Sequence, residues 1–520
     1  MARLLWVALA VLASCANKDD TGPVSKPDPA VGPSFVAGPT IGPAPFPDVA
    51  ALVRTLTVTT DVPTTLSVTT LHDDDAWTRD YDQFATDHDV VVLRWRAGEQ
   101  HDLEVTATDE AGDTVTAQLS VDMDPVPSGF PVFEVETLRP ELVEPGLTVL
   151  AATGSEEGIG KPILVVDADG HVVWWTPNDD FPQEIGVHPD GRLSAMITRK
   201  RTVLYEWSGE ISQVLAAPEM GIPAIHHDLQ ALSGGGFVAI SVEVRDIPTY
   251  PTVAMDPDAP LAPASVAGDV IVELAADGTI VDDWRLLDLL DPFRVTQSSL
   301  AEGYWSPFFG APTKDWTHTN SVVYDADADA WIISMRHQDA VASIGRTSHE
   351  INWILSNPEG WSAEFADLLL DPVGDTLLPR HQHAAELTPE GNLLLFDNGN
   401  GRVDEYGEPA RFSRAVEYEI DAEAGTATQV WQYGEELDPP LSCGSQGDAD
   451  RLPTTGNTLV TFGNVATQDS DEPTIRIREV TAGEPAEVVW ELLIRPPGPV
   501  QPSLYRAARI PFMVGAQNGK

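Results

Sequence analysis

Cysteine and positive charge are the two things that this sequence of 520 residues has least of. It has 2 cysteines, Cys15 and Cys443, which excludes a fold held together by several disulfides and leaves no pair at all if Cys15 is modified. Lysine and arginine together number 30 against 81 acidic residues, which gives a net charge of −51. A surface this acidic repels nucleic acids and anionic lipids, so neither is expected as a partner.

Apolar runs are also short, and none is long enough to cross a bilayer as a helix. The run at the amino terminus, MARLLWVALAVLASC, has a basic start, an apolar centre and small residues before Cys15. This pattern resembles a bacterial lipoprotein signal over residues 1–15, with cleavage before Cys15 and lipid attachment to its sulfur; the alternative is a simple cleaved signal. We therefore expect an exported protein, anchored by lipid to the bacterial cell envelope at its periplasmic face or at the cell surface.

The 40 glycines and 43 prolines predict many turns and short strands rather than long helices. Residues 16–48 are rich in proline, glycine and aspartate, which predicts a disordered tether. Residues 49–125 alternate between apolar and polar side chains in short runs such as LTVTT and TTLSVTTL. They predict a small β-sandwich of the immunoglobulin or fibronectin type.

From about residue 140 onward the chain repeats a strand, a turn and a second strand that ends in tryptophan or another large apolar residue. The copies span residues 163–176, 202–215, 269–286, 342–355, 415–433 and 475–493. Between them stand turns of the form Leu-x-Pro-x-Gly-Asn, each followed by an apolar strand. Six units of two hairpins predict an all-β, six-bladed β-propeller over residues 132–520, with residues 505–512 and 147–152 closing the ring.

Histidines recur at one position of this repeat. His227 and His383 each stand eight residues before the turn glycine of their unit, and His318 stands directly before the inner strand of its own unit. In DWTHTNSVVYDADADAWIISMRHQ, residues 315–338, the same rim also carries Asn320 and Arg336 at the strand ends. Inner strands of a propeller line its central channel, so we expect the three imidazoles and the guanidinium to converge there.

Three functions fit such a constellation. Three neutral imidazoles can ligate a divalent metal ion such as Zn²⁺. Alternatively, imidazoles with Arg336 and Asn320 can bind a tetrahedral oxyanion, with one imidazole acting as nucleophile. The guanidinium favours the second function because it would repel a metal cation, and the sequence has no HxxxH pattern. A propeller that binds a ligand without catalysis is the third hypothesis.

Three segments carry a more specific resemblance: HHDLQALSGGGFVAI, DWTHTNSVVYDADADAWIISMRHQDAV and QHAAELTPEGNLLLFDNGNGR. They resemble the signature segments of the bacterial arylsulfate sulfotransferases. That family has a six-bladed propeller behind a small N-terminal β-domain, and it moves a sulfuryl group from a phenolic sulfate ester to a phenol without a nucleotide donor, a cofactor or a metal ion. Members also carry a disulfide near the active site, which this chain cannot form.

The resemblance implies a role for each matching residue. His383 matches the histidine that becomes transiently sulfated. The residues that it places at acid/base and substrate-binding positions are His227, His318, Asn320 and Arg336, with Thr319 and His226 as further substrate-binding candidates. Within the pair of adjacent histidines the repeat favours His227 over His226, and His383 is likewise favoured over His381. The implied partners are a phenolic sulfate donor and a phenol acceptor, and a homodimer is compatible with the resemblance.

Overall fold

The computed structural model describes residues 32–72, 75–151, 160–178, 180, 182–403, 406–465, 474–495, 503–511 and 513. The predicted signal peptide, its lipid-accepting Cys15 and the first half of the predicted tether lie outside these residues. The described chain is almost entirely β-structure in antiparallel sheets, which confirms the predicted all-β class. None of the helices among the described residues is long and apolar enough to span a membrane.

Five strands form the N-terminal sheet. They are β1 (Phe35–Gly42), β2 (Arg54–His72), β3 (Asp75–Val92), β4 (Gln100–Asp109) and β5 (Thr114–Asp122). β2 pairs with β3 along its length, with β1 at its first half and with β4 at its second half. β1 also contacts β5, so the sheet curls upon itself.

Two details predicted for this region are wrong. The runs LTVTT and TTLSVTTL are one strand, because β2 continues through Pro63 with register shifts, so the described strands form one hydrogen-bonded sheet that curls upon itself. The predicted tether of residues 16–48 also contains an ordered strand. This strand is β1. It can include Pro39 because β1 is an edge strand, where a missing N–H donor is tolerated.

The other described strands form six sheets, each built on four antiparallel strands, and three of these sheets have a fifth strand. After β6 (Val132–Leu138), the first sheet contains β7 (Leu147–Ala151), β8 (Ile163–Val166) and β9 (Val172–Thr176), and its fourth strand comes from the C-terminal end of the chain. The second contains β10 (Ile185–Val187), β11 (Leu193–Thr198), β12 (Arg201–Tyr205) and β13 (Ile211–Ala216). The third contains β14 (Leu229–Ala231), β15 (Phe237–Pro251), β16 (Leu261–Leu274) and β17 (Ile280–Arg285), with β18 (Lys314–Asp315) pairing in parallel with β16.

The remaining sheets follow the same pattern. The fourth contains β19 (Thr319–Asp325), β20 (Ala330–Met335), β21 (Ala340–Gly345) and β22 (Ile351–Ser356). The fifth contains β24 (His383–Leu387), β25 (Leu393–Asp397), β26 (Arg414–Asp421) and β27 (Thr426–Tyr433), with β23 (Asp371–Val373) on its outer edge. The sixth contains β28 (Asp448–Arg451), β29 (Thr458–Val465), β30 (Thr474–Val480) and β31 (Val488–Arg495), with β6 on its outer edge.

Short helices occur only in the connections among the described residues. They are α1 (Ala217–Met220), α2 (Leu286–Leu289), α3 (Ser306–Phe309) and the 3₁₀ turns Ser298–Leu300, Arg336–Gln338 and Ala363–Leu368. The last strand, β32 (Ala507–Ile510), pairs with β7 and so joins the C-terminus to the first sheet. This closure, and contacts between the first strands of neighbouring sheets, agree with the predicted six-bladed propeller.

The N-terminal sheet packs against the first and sixth of these sheets in one apolar cluster. Leu56 and Val68 of β2 share it with Leu164 of β8 and Trp490 of β31. Beside the cluster, the Arg96 guanidinium donates hydrogen bonds of 2.6 Å to the carboxylates of Asp167 and Asp169. Burial of these apolar side chains, at about 25 cal/mol per Å², provides most of the stabilisation of this contact.

Ring closure depends on a glycine that precedes β7. Gly146 has φ +139°, and a Cβ at this position would lie 2.2 Å from the carbonyl oxygen of Ile510 in β32. We expect Gly146→Ala to lower the free energy of unfolding by about 2–4 kcal/mol, because it combines backbone strain with a clash against backbone. Gly234→Ala is the matched control, since no atom lies within 4 Å of its Cβ position. Equal denaturant midpoints for the two variants would contradict this account of the closure.

Candidate active site

The three predicted histidines meet at the inner ends of three sheets. His227 lies two residues before β14, His318 directly precedes β19, and His383 opens β24. The ring centroids of His227 and His318 are 4.7 Å apart. The Tyr505 ring, just before β32, lies 5.6 Å from the His227 ring and 6.0 Å from the His383 ring. The site therefore draws on residues from four different parts of the chain.

The backbone at these positions shares an unusual conformation. His227 has φ +62°, His318 has φ +49° and Gln446, which precedes β28, has φ +65°. Left-handed backbone costs about 1–2 kcal/mol per non-glycine residue, and such strain concentrates at functional sites. The chain thus turns sharply at three of the entries to inner strands, and at His227 and His318 this turn precedes a strand whose histidine belongs to the site.

Each of the three imidazoles has its Nδ1 atom engaged from behind, and His383 shows this most clearly. The Asn398 side-chain nitrogen donates to the carbonyls of Cys443 and Gln446, at 2.9 and 2.7 Å. Its Oδ1 therefore faces His383 Nδ1 at 2.7 Å and can only accept a hydrogen bond. His383 must carry its proton on Nδ1, which leaves the lone pair on Nε2.

His318 and His227 are held in the same sense. His318 Nδ1 donates to the Asp315 carboxylate at 2.6 Å. His226 Nε2 lies 3.1 Å from the Ser241 carbonyl and 3.3 Å from an Asp269 carboxylate oxygen, so this nitrogen carries a proton, and His226 Nδ1 shares a hydrogen bond of 2.7 Å with His227 Nδ1. In all three rings Nδ1 is thus held from behind, and the second nitrogen of His383, Nε2, accepts the Gln446 N–H at 3.3 Å.

Burial keeps these imidazoles uncharged. It lowers the pKa of His227, His318 and His383 well below the ordinary value of 6.5, and the charge of Arg336 lowers the pKa of His318 and His383 further. Burial also raises the pKa of Asp315 to about 6, which still leaves its carboxyl group mostly ionised at neutral pH. Neutral imidazoles with a lone pair on Nε2 are suited to act as nucleophiles and general bases.

Arg336 lies beside the imidazoles as the sequence predicts. One of its nitrogens donates to the Gly444 carbonyl at 3.0 Å, and no ion pair with a carboxylate is found for it in the described part of the chain. Burial lowers its pKa from 12.5, but the guanidinium stays charged at neutral pH. It is therefore a cation available to an anionic guest.

Three predicted substrate-binding residues lie behind the site, where their exposed fraction is 0 %. His226 holds His227, as described above. The Asn320 side-chain nitrogen donates to the Gln382 carbonyl at 2.7 Å, and the Thr319 N–H donates to the Asp269 carboxylate at 2.5 Å. These contacts make them supports of the site, and direct contact with a substrate stays a prediction for each.

Several residues of the site were missed by the sequence analysis. Asp315 and Asn398 act through their hydrogen bonds to imidazoles, and neither follows from the repeat. Tyr304 comes from the insertion before β18, and its ring lies 5.2 Å from the His227 ring and 4.7 Å from the His318 ring. Tyr505 could have been found, since it stands just before the closing strand, at a position where three of the other units carry histidines.

A group of possible metal ligands lies near the site, and it contains only one of the three histidines predicted to bind a metal. Among the described residues, the ligand atoms of Asp315, His318 and His337 lie within 4.8 Å of one another. His337 stacks on His318 at a centroid distance of 4.5 Å, and its Nδ1 donates to the Asp315 carbonyl at 2.7 Å. Since Nδ1 of both histidines and the carboxylate already have partners, this trio is better suited to position His318 than to bind a metal.

A second layer of charge lies next to the imidazoles. Arg506 donates to Glu184 at 2.5 Å, lies 3.4 Å from an Asp228 oxygen and donates to the Asn320 carbonyl at 2.9 Å. Burial raises the pKa of the surrounding carboxyl groups, to about 7 for Asp448 and about 8 for Glu386. Burial likewise raises the pKa of Glu184, Asp228 and Asp450.

Fold and site together define a class of protein. It is an all-β protein whose sheets bring three neutral imidazoles and a guanidinium together at their inner ends. The Arylsulfotransferase (ASST) family model matches residues 134–494. The chain belongs to the arylsulfotransferase family.

Two curated relatives are similar to this chain. It is 28% identical over 377 residues to the arylsulfate sulfotransferase AssT of Escherichia coli O6:H1, covering 60% of this chain and 59% of the relative. It is 29% identical over 329 residues to AssT of Lelliottia amnigena, covering 52% of each chain. The match thus spans between half and three fifths of the relatives' length. Among solved structures, dihydro-heme d1 dehydrogenase NirN is 12% identical to this chain, and the match covers 78% of this chain and 73% of that one. Its TM-score of 0.33 is too low for any conclusion about this protein.

The raised pKa of Glu386 predicts a pH-dependent stability. Because it is about 8 in the folded chain and about 4.3 in the unfolded chain, the stabilisation from this group is full below pH 4 and is lost as pH rises to 8. In the wild type, the Arg451 N–H donates to a Glu386 carboxylate oxygen at 2.8 Å. Glu386→Gln imitates the protonated carboxyl group, and its amide oxygen can still accept this hydrogen bond. We expect the variant to exceed the wild type in free energy of unfolding by at least about 1 kcal/mol at pH 8, with the difference shrinking towards pH 5.

Urea unfolding at pH 5 and pH 8 measures this difference. Glu390→Gln, in the exposed turn of the same hairpin, is the matched control and should follow the wild type at both values. A pH-independent difference for Glu386→Gln would contradict the assignment of a protonated carboxyl group.

Proposed function

We propose that this protein transfers a sulfuryl group from a phenolic sulfate ester to a phenol, through a sulfated His383. Membership of the arylsulfotransferase family supports the reaction class. The observation that carries the mechanism is the hydrogen bond of His383 Nδ1 to Asn398, which places the lone pair on Nε2 in a site that also contains Arg336. There the lone pair accepts the Gln446 N–H at 3.3 Å, a contact that attack on sulfur replaces.

In the first half-reaction, His383 Nε2 attacks the sulfur atom. An N–S bond forms, the bond between sulfur and the aryl oxygen breaks, and its electron pair leaves on the phenolate. Negative charge spreads over the three remaining sulfuryl oxygens, where Arg336 stabilises it as cations do in phosphoryl transfer. In the second half-reaction, the acceptor oxygen attacks the same sulfur and the N–S bond breaks.

The source of the proton for the leaving phenolate follows from the charge of the substrate. A sulfate ester carries one negative charge, and an anion next to an imidazole favours its protonated form. Donor binding is therefore accompanied by proton uptake at His318 or His227, and this proton passes to the leaving phenolate. The imidazole, neutral again, then takes the proton of the acceptor phenol, so that protons balance over the cycle.

His383→Ala tests the covalent intermediate. On addition of 4-nitrophenyl sulfate, intact-protein mass spectrometry of the wild type should show one added sulfuryl group, and the variant should show none and lose at least about 10³-fold in turnover. His349→Gln, far out on the β21–β22 hairpin, is the control. Turnover should also survive dialysis against a chelator. Turnover that is chelator-sensitive and leaves no adduct would support a metal-dependent reaction instead.

His318→Gln tests proton transfer to the leaving group. A phenolate of high pKa needs a proton in the transition state, whereas 4-nitrophenolate leaves readily without one. We expect kcat/KM to fall by about tenfold for 4-nitrophenyl sulfate and by about 10³-fold for phenyl sulfate. Equal losses for both donors would assign His318 a purely binding role.

A further inference from the structure

A cavity of about 470 Å³ lies beside the histidine cluster and has no part in the mechanism above. Its volume falls in the range of pockets that hold small molecules. One wall is the apolar segment before β24, with Leu377, Leu378 and Pro379. Polar groups of the opposite wall come from the 3₁₀ turn at Ser298 and from the loop at Asn400.

The cavity adjoins the site on three sides. The Asn400 side chain donates to the Gly444 carbonyl at 2.8 Å, which is also the acceptor for Arg336. On a second side, the Ser298 hydroxyl lies 2.6 Å from His381 Nε2, and His381 is close enough for its charge to lower the pKa of His318.

The third side runs through the backbone of His337, whose ring stacks on that of His318. The Thr296 hydroxyl, which lines the cavity, donates to the His337 carbonyl at 2.5 Å. The cavity wall is thus linked to the surroundings of His318 and Arg336 through shared hydrogen-bond partners, and neither of these two residues lines the cavity itself.

We propose that this cavity holds the aromatic ring of donor and acceptor alike and that Arg380 selects rings with a carboxylate substituent. The proposal rests on the proposed function. In-line displacement at sulfur places the leaving oxygen opposite His383 Nε2, and the attacking acceptor oxygen must enter from the same direction. Donor and acceptor rings therefore occupy one pocket in turn.

The charges around the cavity point to an anionic substituent. Arg294 donates to the backbone and side-chain oxygens of Gln338, at 2.8 and 2.9 Å. Asp339 accepts the His381 N–H at 2.7 Å and lies 2.9 Å from His381 Nδ1. Glu359 and Arg380 also line the cavity. The Arg380 guanidinium makes no hydrogen bond or ion pair with the residues that the structure describes, and its charge adds to that of His381 in lowering the pKa of Asp339.

A half-buried guanidinium without a partner next to an apolar wall suits a ring that ends in a carboxylate. The wall packs against the ring and the guanidinium pairs with the two carboxylate oxygens. On a protein with a net charge of −51, such a local cation is needed to attract an anionic substrate.

The test compares two matched pairs of compounds on Arg380→Gln. The donors are 4-carboxyphenyl sulfate and 4-carbamoylphenyl sulfate, and the acceptors are 4-hydroxybenzoate and 4-hydroxybenzamide. We expect the variant to lose about tenfold in kcat/KM for both carboxylates and less than twofold for both amides, as the loss of one charge-assisted contact predicts. Arg201→Gln, an exposed arginine of the second sheet, controls for the change in net charge.

Two further measurements separate this inference from the proposed function. Calorimetric binding of 4-hydroxybenzoate should weaken about tenfold in Arg380→Gln, with or without turnover. Leu378→Trp, which fills the cavity, should reduce donor and acceptor kcat/KM by the same factor. Turnover with unchanged selectivity in Arg380→Gln, or an effect on donors alone, would overturn the shared pocket and leave the sulfuryl transfer intact. Failure of the wild type to transfer sulfate, with Arg380-dependent binding retained, would overturn the reaction and leave the pocket.

Discussion

The chemistry of this site depends on one constraint, which is that Nδ1 of each imidazole is occupied from behind. Three different groups impose it: the amide of Asn398, the carboxylate of Asp315 and the ring of His226. Each fixes the orientation of its ring, and the groups behind His383 and His318 also fix the tautomer, with the lone pair on Nε2. Burial then keeps the rings neutral, and a neutral imidazole in a fixed tautomer is ready to attack or to accept a proton without prior rearrangement.

The repeat supplies the positions and the connections supply the tuning. Six sheets bring equivalent residues to the start of each inner strand, and the left-handed backbone at His227, His318 and Gln446 shows that the chain turns there in a common way. Asp315 and Asn398, by contrast, belong to β18 and to the loop after β25, which differ between units. Residues at repeated positions therefore define where the chemistry occurs, whereas residues at unrepeated positions define what kind of chemistry it is.

This division explains how much the sequence could predict. All six outer hairpins and the closing strand fall where the repeat predicts them, since alternation and turn glycines are local signals, and the convergence of His227, His318 and His383 follows from that repeat. The hydrogen-bond partners of the imidazoles could not be predicted, because Asn398 lies 15 residues from His383 and its orientation depends on two backbone carbonyls. β1 and the long β2 were missed because proline was taken to end a strand, although an edge and a register shift both tolerate it.

Electrostatics make the anion specificity of the site a local property. The outer field of the protein is strongly negative, the imidazoles are neutral and Arg506 is paired with Glu184. Arg336, which lacks a carboxylate partner among the described residues, is then the cation that an anion meets at the imidazoles. An anion that reaches it also raises the proton affinity of the neighbouring rings, so binding and proton uptake are coupled. In the proposed reaction, the guest that brings the sulfuryl group thereby creates the acid that its leaving group needs, and a neutral guest in the same place would create none.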